Sequence, residues 1–329
     1  MLDRPKAINA LDFGMIAAIT AALEGWRNDP DVTAILFEGN GPRGFCAGGD
    51  VRAVRDLVLA GRKEQADAYF AAEYDLNGRI SNYDKPVIAL THGAVMGGGI
   101  GIAGHAGFRI ALPDARFAMP EAVIGFVVDT GVNAILAKAP EHRALAFLLS
   151  GLAVGAADAL TLGLTDCVIA ADARERVRAG LITAADAPSV DTAIVALMQA
   201  EAIDAGEAEL CHAADARAEI FALARAAEMA EALGPDDQPL GAAIARGSPT
   251  SLEAIVLSHR AARQARDIGE VLALDLAFAR YLCGRPDFAE GVRAVLVDKD
   301  GKAAWQPAAG DDVDITALAA LSARREPAD

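Results

Sequence analysis

Cysteine is scarce in this chain: four residues in 329, Cys46, Cys167, Cys211 and Cys283, with no CxxC pair among them. That spacing offers neither a disulfide framework nor a structural zinc site, so we expect free thiols in a reducing, cytoplasmic compartment. The five histidines show no metal-ligand spacing either, and no metal is expected. Positive charge is also in short supply. Thirty Lys and Arg against 46 Asp and Glu leave a net charge of −16, which argues against nucleic acid or an anionic membrane as partner. Long hydrophobic runs are missing as well: the longest apolar region, Val87 to Leu112, is broken by His92, His105, Arg109 and many glycines. The N-terminus has no basic-then-apolar leader, so export is not expected. There is no fixed-period repeat and no low-complexity tract.

What is present is a chain 53% hydrophobic, long enough for one large core and a smaller attachment. Helical spacing of Met15, Ile16, Ile19 and Leu23 predicts a helix over Phe13 to Trp26, and "VTAILFEG" predicts a buried strand. Further helices are expected at Val51 to Leu59 and Glu64 to Ile80. The second places Ala66, Tyr69, Phe70, Glu73, Asn77 and Ile80 on one face. "PVIAL", "FRIAL" and "DCVIA" read as strands. Ala134 to Leu149 reads as helix with a break near Pro140, and "AADALTLGL" as another helix. This alternation predicts an α/β core over 1–172. Residues 173–329 are expected to be a mainly helical region with one late strand, "VRAVLVD". Within it Gly234-Pro235-Asp236-Asp237 reads as a linker, and Thr250 to Glu253 as a capping box.

The stretch from Gly97 to Gly104 contains Gly99-Ile100-Gly101-Ile102-Ala103-Gly104, which fits G-x-G-x-x-G. A dinucleotide site needs those glycines directly after a strand, a full helix next, and an acidic residue about 20 positions on. Here "PVIAL" ends well before Gly99, the space before "FRIAL" is too short, and Asp114 comes only ten residues after Gly104. A second use fits better. Glycines at a helix start let a ligand approach backbone N–H groups that have no intrahelical partner, an arrangement suited to a developing oxyanion. "GPRGFCAGGDVR" exposes a second such turn at Gly48-Gly49. Tight packing of helix on sheet would explain the same glycines.

"DRPKAINAL", "FCAGGDVR", "KPVIALTHGAVMGGGIGI" and "FAMPEAVIGF", in this order, resemble the crotonase (enoyl-CoA hydratase/isomerase) superfamily. "EYDLN", "MPEAVIGFVVD" and "DFAEGVRAVLVDKDGKAAW" are similar to its 3-hydroxyisobutyryl-CoA hydrolase branch. The resemblance implies a crotonase-like spiral of ββα turns that binds a coenzyme A thioester. It implies an oxyanion hole from the N–H groups of Gly49 and Gly98. It also implies CoA contacts around Lys6, Ala7, Ala47, Val51 and Arg52. Arg4, Lys6, Arg43, Arg52 and Arg55 form a modest basic set in the same span, which ordinary solvated charge would also explain. The chain begins inside the family's first motif, so the strand that usually precedes it is expected to be missing through a misplaced start or a truncation.

Hydratase relatives carry one glutamate two positions after the glycine triplet and another after Met-Pro. Here the first position is Gly101, while Glu121 is retained, and Asp129 stands eight residues further on, where hydrolase relatives have aspartate. Glu121 and Asp129 could divide nucleophile or base work from acid work. Glu73, on an apolar stripe, is expected to line the acyl pocket and bind a substrate hydroxyl; an edge position snorkelling to water would explain it too. Val128 and "TGVN" replace the Pro and Gly-Gly that usually flank the aspartate, which puts the placement of Asp129 in question. The expected reaction is hydrolysis of a short β-hydroxyacyl-CoA, as in valine catabolism. CoA enters as part of the substrate, no separate cofactor is expected, and a homo-oligomer is left open. The alternatives are a hydratase or isomerase using Glu121 alone, and a non-catalytic acyl-CoA-binding protein.

Overall fold

The computed structural model describes residues 1–323. Through the first half the order is α1 (Phe13–Arg27), β1 (Ile35–Glu38), β2 (Gly44–Cys46), α2 (Val51–Leu59), α3 (Lys63–Ser81), β3 (Val87–Thr91), β4 (Ala94–Met96), α4 (Gly98–Gly104), β5 (Phe108–Ala111), β6 (Arg116–Ala118), α5 (Val132–Leu136), α6 (Glu141–Ser150), α7 (Ala156–Thr161) and β7 (Cys167–Val168). Helices follow: α8 (Arg174–Ala185), α9 (Val190–Glu201), α10 (Glu209–Asp215), α11 (Ala218–Phe221), α12 (Ala226–Leu233), α13 (Leu240–Ile244), α14 (Pro249–Ala262), α15 (Ile268–Cys283), α16 (Pro286–Val292) and α17 (Ile315–Ser322).

The chain forms two compact units, and the boundary expected at 172/173 does not coincide with either. One unit takes residues 1–49, 75–117 and 153–209; the other takes 50–74, 118–152 and the chain from 210 on. Contiguity misled the sequence reading here: each unit is assembled from three separated segments.

The first unit carries the strands. They alternate between two sheets, β1-β3-β5-β7 and β2-β4-β6, the spiral that the sequence predicts. The registered pairs are parallel, with Ile35 beside Val87, Ile88 beside Phe108 and Ile110 beside Cys167. Every residue of β3 is buried, the pattern of a parallel strand covered on both faces. Ile88, Leu90, Ile110 and Ile169 form one apolar cluster with Val177 and Leu181 of α8 and Ile194 and Met198 of α9.

The second unit is helical. α14 is buried along most of its length and packs against α5, α6, α12, α15 and α17. A helix buried along most of its length is the expected centre of such a bundle, and its polar side chains are buried with it. Its start corrects the sequence reading: the N-cap is Ser248, accepting from Ser251 N–H at 3.3 Å, with Pro249 in the first turn. Glu253 is no capping-box partner. It accepts from Ala226 and Ala227 N–H and pairs with Arg225.

The late strand is also corrected. Arg293–Val297 forms a π-helical turn continuing α16, with Asp298 N–H donating to Arg293 O at 2.8 Å. Arg293 pairs with Glu290 three residues before it and with Asp298 and Asp300 after it. A helical backbone brings Glu290 and Arg293 to one face, whereas an extended one would separate them. Among the described residues no helix is long and apolar enough to cross a membrane.

Candidate active site

In the first unit the two glycine turns meet. Gly48 has φ +95°, and a Cβ there would lie 3.0 Å from Met96 O and 3.3 Å from Gly98 N. Gly99 is a packing glycine, since its Cβ would sit 2.4 Å from Cys46 O. Gly97 caps α4 with φ +48°, a conformation open to glycine, and Gly98 is then the first helical residue. Its N–H therefore has no intrahelical acceptor. α4 is only seven residues long and runs directly toward β5, too short for a dinucleotide-binding unit. Gly48, Gly97 and Gly99 thus shape and pack the turns that carry Gly49 and Gly98, the two expected donors.

Lys6 and Ala7 lie on a 3-10 turn, Pro5–Ala7. Ala47 N–H donates to Ile8 O at 2.9 Å, which brings these three expected CoA residues to one place in the first unit. Arg43 braces the turn by donating to Pro5 O and Lys6 O, both at 2.6 Å. Asn9, fully buried and with φ +55°, donates to Asn40, Gly44 and Phe45 carbonyls. Sequence reasoning missed this role, although Asn is among the residue types that tolerate a left-handed turn. Val51 and Arg52 begin α2, in the second unit. Arg52 is exposed and donates to Leu296 O, and Arg55 donates to Ala289 O. Much of the basic set therefore binds backbone carbonyls and is not simply solvated charge.

The second unit gathers the acids. Glu73 is 3% exposed, so its place on the apolar stripe is buried and not at an edge. Glu121 opens a 3-10 turn, Glu121–Ile124, closed by Gly125 with φ +68°. A Cβ on Gly125 would strike Asp287 O at 2.3 Å, and one on Gly291 would strike Ile124 C at 2.4 Å. These two glycines let the turn lie directly on the backbone of α16. Ser248 N–H also donates to Ala122 O at 2.9 Å. Asp129 sits just before α5, and the Tyr74 hydroxyl donates to its Oδ2 at 2.6 Å. The aspartate is therefore buried and held despite Val128 and "TGVN". Phe70 stacks on Phe126 with centroids 5.0 Å apart, and Phe126 contacts Phe288 at 5.4 Å, so the surround is apolar.

Burial dominates the electrostatics. It raises Glu73 well above the ordinary carboxylate range, with repulsion from Asp129 adding to it. Glu121 is raised by burial first, then by Asp129 and Glu73, against a hydrogen bond from its own backbone. Asp129 is pushed up to about 7 by burial, while the Tyr74 hydroxyl and a backbone bond restrain it. Its charge is thus the one the surroundings solvate best. Glu73 Oε1 and Glu121 Oε2 are buried and have no hydrogen-bond partner among the described protein groups. Sequence reasoning missed Tyr74 and the fully buried Asp275 of α15. The signal for Asp275 was available: an acid within an apolar helical stripe, the same pattern that identified Glu73. Among the described residues no group of three His, Cys, Asp or Glu side chains is arranged to hold a metal ion.

A parallel spiral with paired glycine turns and a buried acid cluster defines a class, and comparison with known proteins agrees. The chain matches the model of the enoyl-CoA hydratase/isomerase family over residues 1–321. It belongs to that family. It is 33% identical over 320 residues to the mitochondrial 3-hydroxyisobutyryl-CoA hydrolase of Gallus gallus, covering 95% of this chain and 82% of that protein. The Homo sapiens protein of the same name is 32% identical over 315 residues, covering 93% of this chain and 81% of its own length. Among solved structures, a carnitinyl-CoA dehydratase from Mycobacterium thermoresistibile superposes with TM-score 0.89 at 30% identity, covering 99% and 93% of the two chains. An enoyl-CoA hydratase from Rhodobacter sphaeroides 2.4.1 gives 0.87 at 33% identity, covering 98% and 93%.

Proposed function

We propose that this chain hydrolyses a short β-hydroxyacyl-CoA thioester, 3-hydroxyisobutyryl-CoA or a close analogue, to the free acid and CoA. The observation that carries this reading is the buried set Glu73, Glu121 and Asp129, combined with the absence of a carboxylate at Gly101. Hydration in two-glutamate relatives needs a second acid at that position, and glycine supplies none. In this reading the N–H groups of Gly49 and Gly98 polarise the thioester carbonyl. Lys6, Ala7, Ala47, Val51 and Arg52 hold the CoA portion.

Glu121 then either attacks the carbonyl carbon or takes a proton from an attacking water. In the first route the proton shared by the coupled acids passes from Glu121 to Asp129, a C–O bond to the ionised Glu121 forms as the C–S bond breaks, and Asp129 returns that proton to the departing thiolate. Water next cleaves the mixed anhydride, restoring Glu121 and releasing the acid. Both routes consume one water per thioester. Burial that raises the proton affinity of Glu121 also makes its ionised form a stronger base and nucleophile than a solvated glutamate. Glu73 hydrogen-bonds the β-hydroxyl. No metal or redox group is required for these steps. Four widely spaced cysteines without a CxxC pair fit a reducing compartment, and a cytoplasmic location is part of this proposal.

A hydratase or lyase is the second reading, favoured by the retained Glu121 and by the names of the two superposing structures. The test is thiol release from 3-hydroxyisobutyryl-, 3-hydroxypropionyl- and crotonyl-CoA in the presence of EDTA, with wild type and Glu121→Gln. We expect CoA release from the two hydroxyacyl substrates and loss of at least roughly 1000-fold in the variant. Faster hydration of crotonyl-CoA than hydrolysis of either hydroxyacyl thioester would decide for the second reading.

A further inference from the structure

We infer that Tyr74 and Asp275 are positioning residues that together hold Asp129 in its working place. The proposal rests on the reading of Asp129 as an acting carboxylate, and all the residues involved belong to the second unit.

The backbone around Asp129 is not held by local contacts alone. Thr130 and Gly131 are both left-handed, with φ +58° and +73°. For threonine that conformation is unfavourable, so it persists only where the surroundings enforce it. Three contacts do so. The Thr130 hydroxyl donates to Asp129 O at 2.7 Å, and Val132 N–H donates to the same carbonyl at 3.2 Å. Gly131 N–H donates to Asp275 Oδ2 at 2.8 Å. The third contact comes from a distant element, since Asp275 lies on α15 and is 0% exposed. Tyr74, 3% exposed on α3, then fixes the side chain itself through Oδ2. The loop is thus held from α15 and the carboxylate from α3, which accounts for an ordered Asp129 without the proline and paired glycines of its relatives.

Protonation follows from the same geometry. Asp129 has an O–H donor on its carboxylate, whereas Asp275 has one backbone donor on Oδ2 and a buried, unpartnered Oδ1. Burial, and then the charge of Asp129, hold Asp275 well above the usual aspartate range. These favour the neutral form of Asp275, and its oxygen accepts Gly131 N–H, a task an amide oxygen performs equally well. The other titratable groups around Asp129 are Glu73 on α3 and Glu121 on the 3-10 turn. From α14, His259 reaches α5 through Asn133, with Nδ1 3.0 Å from its Oδ1, and burial holds this imidazole neutral at about 4.

The test compares Tyr74→Phe, Asp275→Asn, Asp275→Leu and Asp129→Asn by thiol release across pH 5–9, each checked by melting temperature. Tyr74→Phe keeps the ring and removes the donor. We expect kcat to fall roughly 10- to 100-fold with KM nearly unchanged, as for a misplaced catalytic group. We also expect the pH limb belonging to Asp129 to move upward, because a bond favouring its ionised form is gone. Asp275→Asn should keep wild-type rate and limb, while Asp275→Leu, which leaves Gly131 N–H buried and unpaired, should match the Tyr74→Phe loss. A folded Tyr74→Phe with unchanged rate and limb, or Asp275→Asn as damaged as Asp275→Leu, overturns the proposal. Should Asp275→Leu not fold, the Tyr74→Phe limb and the Asp275→Asn rate still decide. An active Asp129→Asn overturns instead the reading of Asp129 on which this rests.

Discussion

The two units use their polar groups in opposite ways. In the strand-rich unit the groups proposed for chemistry are backbone N–H donors, and the side chains nearby are absent or serve to shape turns: Gly97, Gly98 and Gly99, Gly48, and Asn9 tying the first loop to β2. In the helical unit the proposed groups are buried carboxylates. A backbone donor is neutral, so it carries no desolvation penalty for charge and keeps its strength at every pH. A buried carboxylate costs stability until a proton or a hydrogen bond compensates it. One unit should therefore respond to substitutions that alter backbone, with little pH dependence, and the other to substitutions that alter charge.

The strongest test of that contrast is Gly98→Pro. Proline removes the N–H, and losing one oxyanion donor costs about 100- to 1000-fold in rate, roughly 3–4 kcal/mol. Gly98 is the first residue of α4, a position where proline is often accommodated. We expect a folded variant with kcat reduced by that factor at every pH between 5 and 9. A loss confined to one end of the pH range would place Gly98 among the groups that act through charge. The dinucleotide alternative predicts that NAD raises the melting temperature of the wild type; stabilisation by CoA and not by NAD is the expected result.

A smaller effect concerns stability in the helical unit. Asp129 is held at about 7 in the folded chain against 3.8 for an ordinary aspartate. The folded state therefore binds the proton more tightly, so stability is fully present below 3.8, falls as pH rises through that window, and stays lower above about 7. The displacement corresponds to at most roughly 4 kcal/mol, at about 1.36 kcal/mol per pH unit. Neighbouring Glu73, Glu121 and Asp275 are displaced in the same direction and share the proton, so about 2 kcal/mol is expected for Asp129 alone. Asp129→Asn cannot ionise. In urea titrations its stability relative to wild type should increase from pH 4 to pH 8 by that amount. A relative stability that stays constant or decreases over this range would show that Asp129 is not a strained buried charge.

How much of this was legible in the sequence depended on whether a signal was local. The strands of the four-stranded sheet were visible as short apolar runs, whereas β2, β4 and β6, three residues each, were too short to be read; the face of α3 through Ala66, Phe70, Glu73 and Ile80 followed from helical spacing alone. The glycine turns could be placed, but only the structure sorts Gly99, which packs against Cys46, from Gly98. "VRAVLVD" failed because a short apolar run fits strand and helix equally; here it continues α16, and the ion pairs of Arg293 accompany the helical form. Thr250 and Glu253 fitted a capping box in spacing, yet Ser248 takes the cap because Pro249 opens the helix. Tyr74 and Asp275 were not read because their importance lies in partners 55 and 144 residues away along the chain.

The smallest effect separates recognition from catalysis within the acid cluster. Glu73 is buried, its Oε1 has no hydrogen-bond partner, and both burial and Asp129 favour its neutral form. A neutral acid can accept from or donate to a β-hydroxyl, and glutamine can do the same, so Glu73→Gln should retain most function. Glu73→Leu keeps an apolar stripe and removes the polar group. We expect it to raise KM for 3-hydroxypropionyl-CoA roughly 5- to 10-fold more than for propionyl-CoA, the worth of about one neutral hydrogen bond near 1 kcal/mol. With propionyl-CoA the lost group has nothing to bind, and its removal relieves a buried polar atom, so KM should hardly change. Equal effects on both substrates would assign Glu73 to packing. A collapse of kcat with both, reproduced by Glu73→Gln, would move it from recognition into the chemical step beside Glu121.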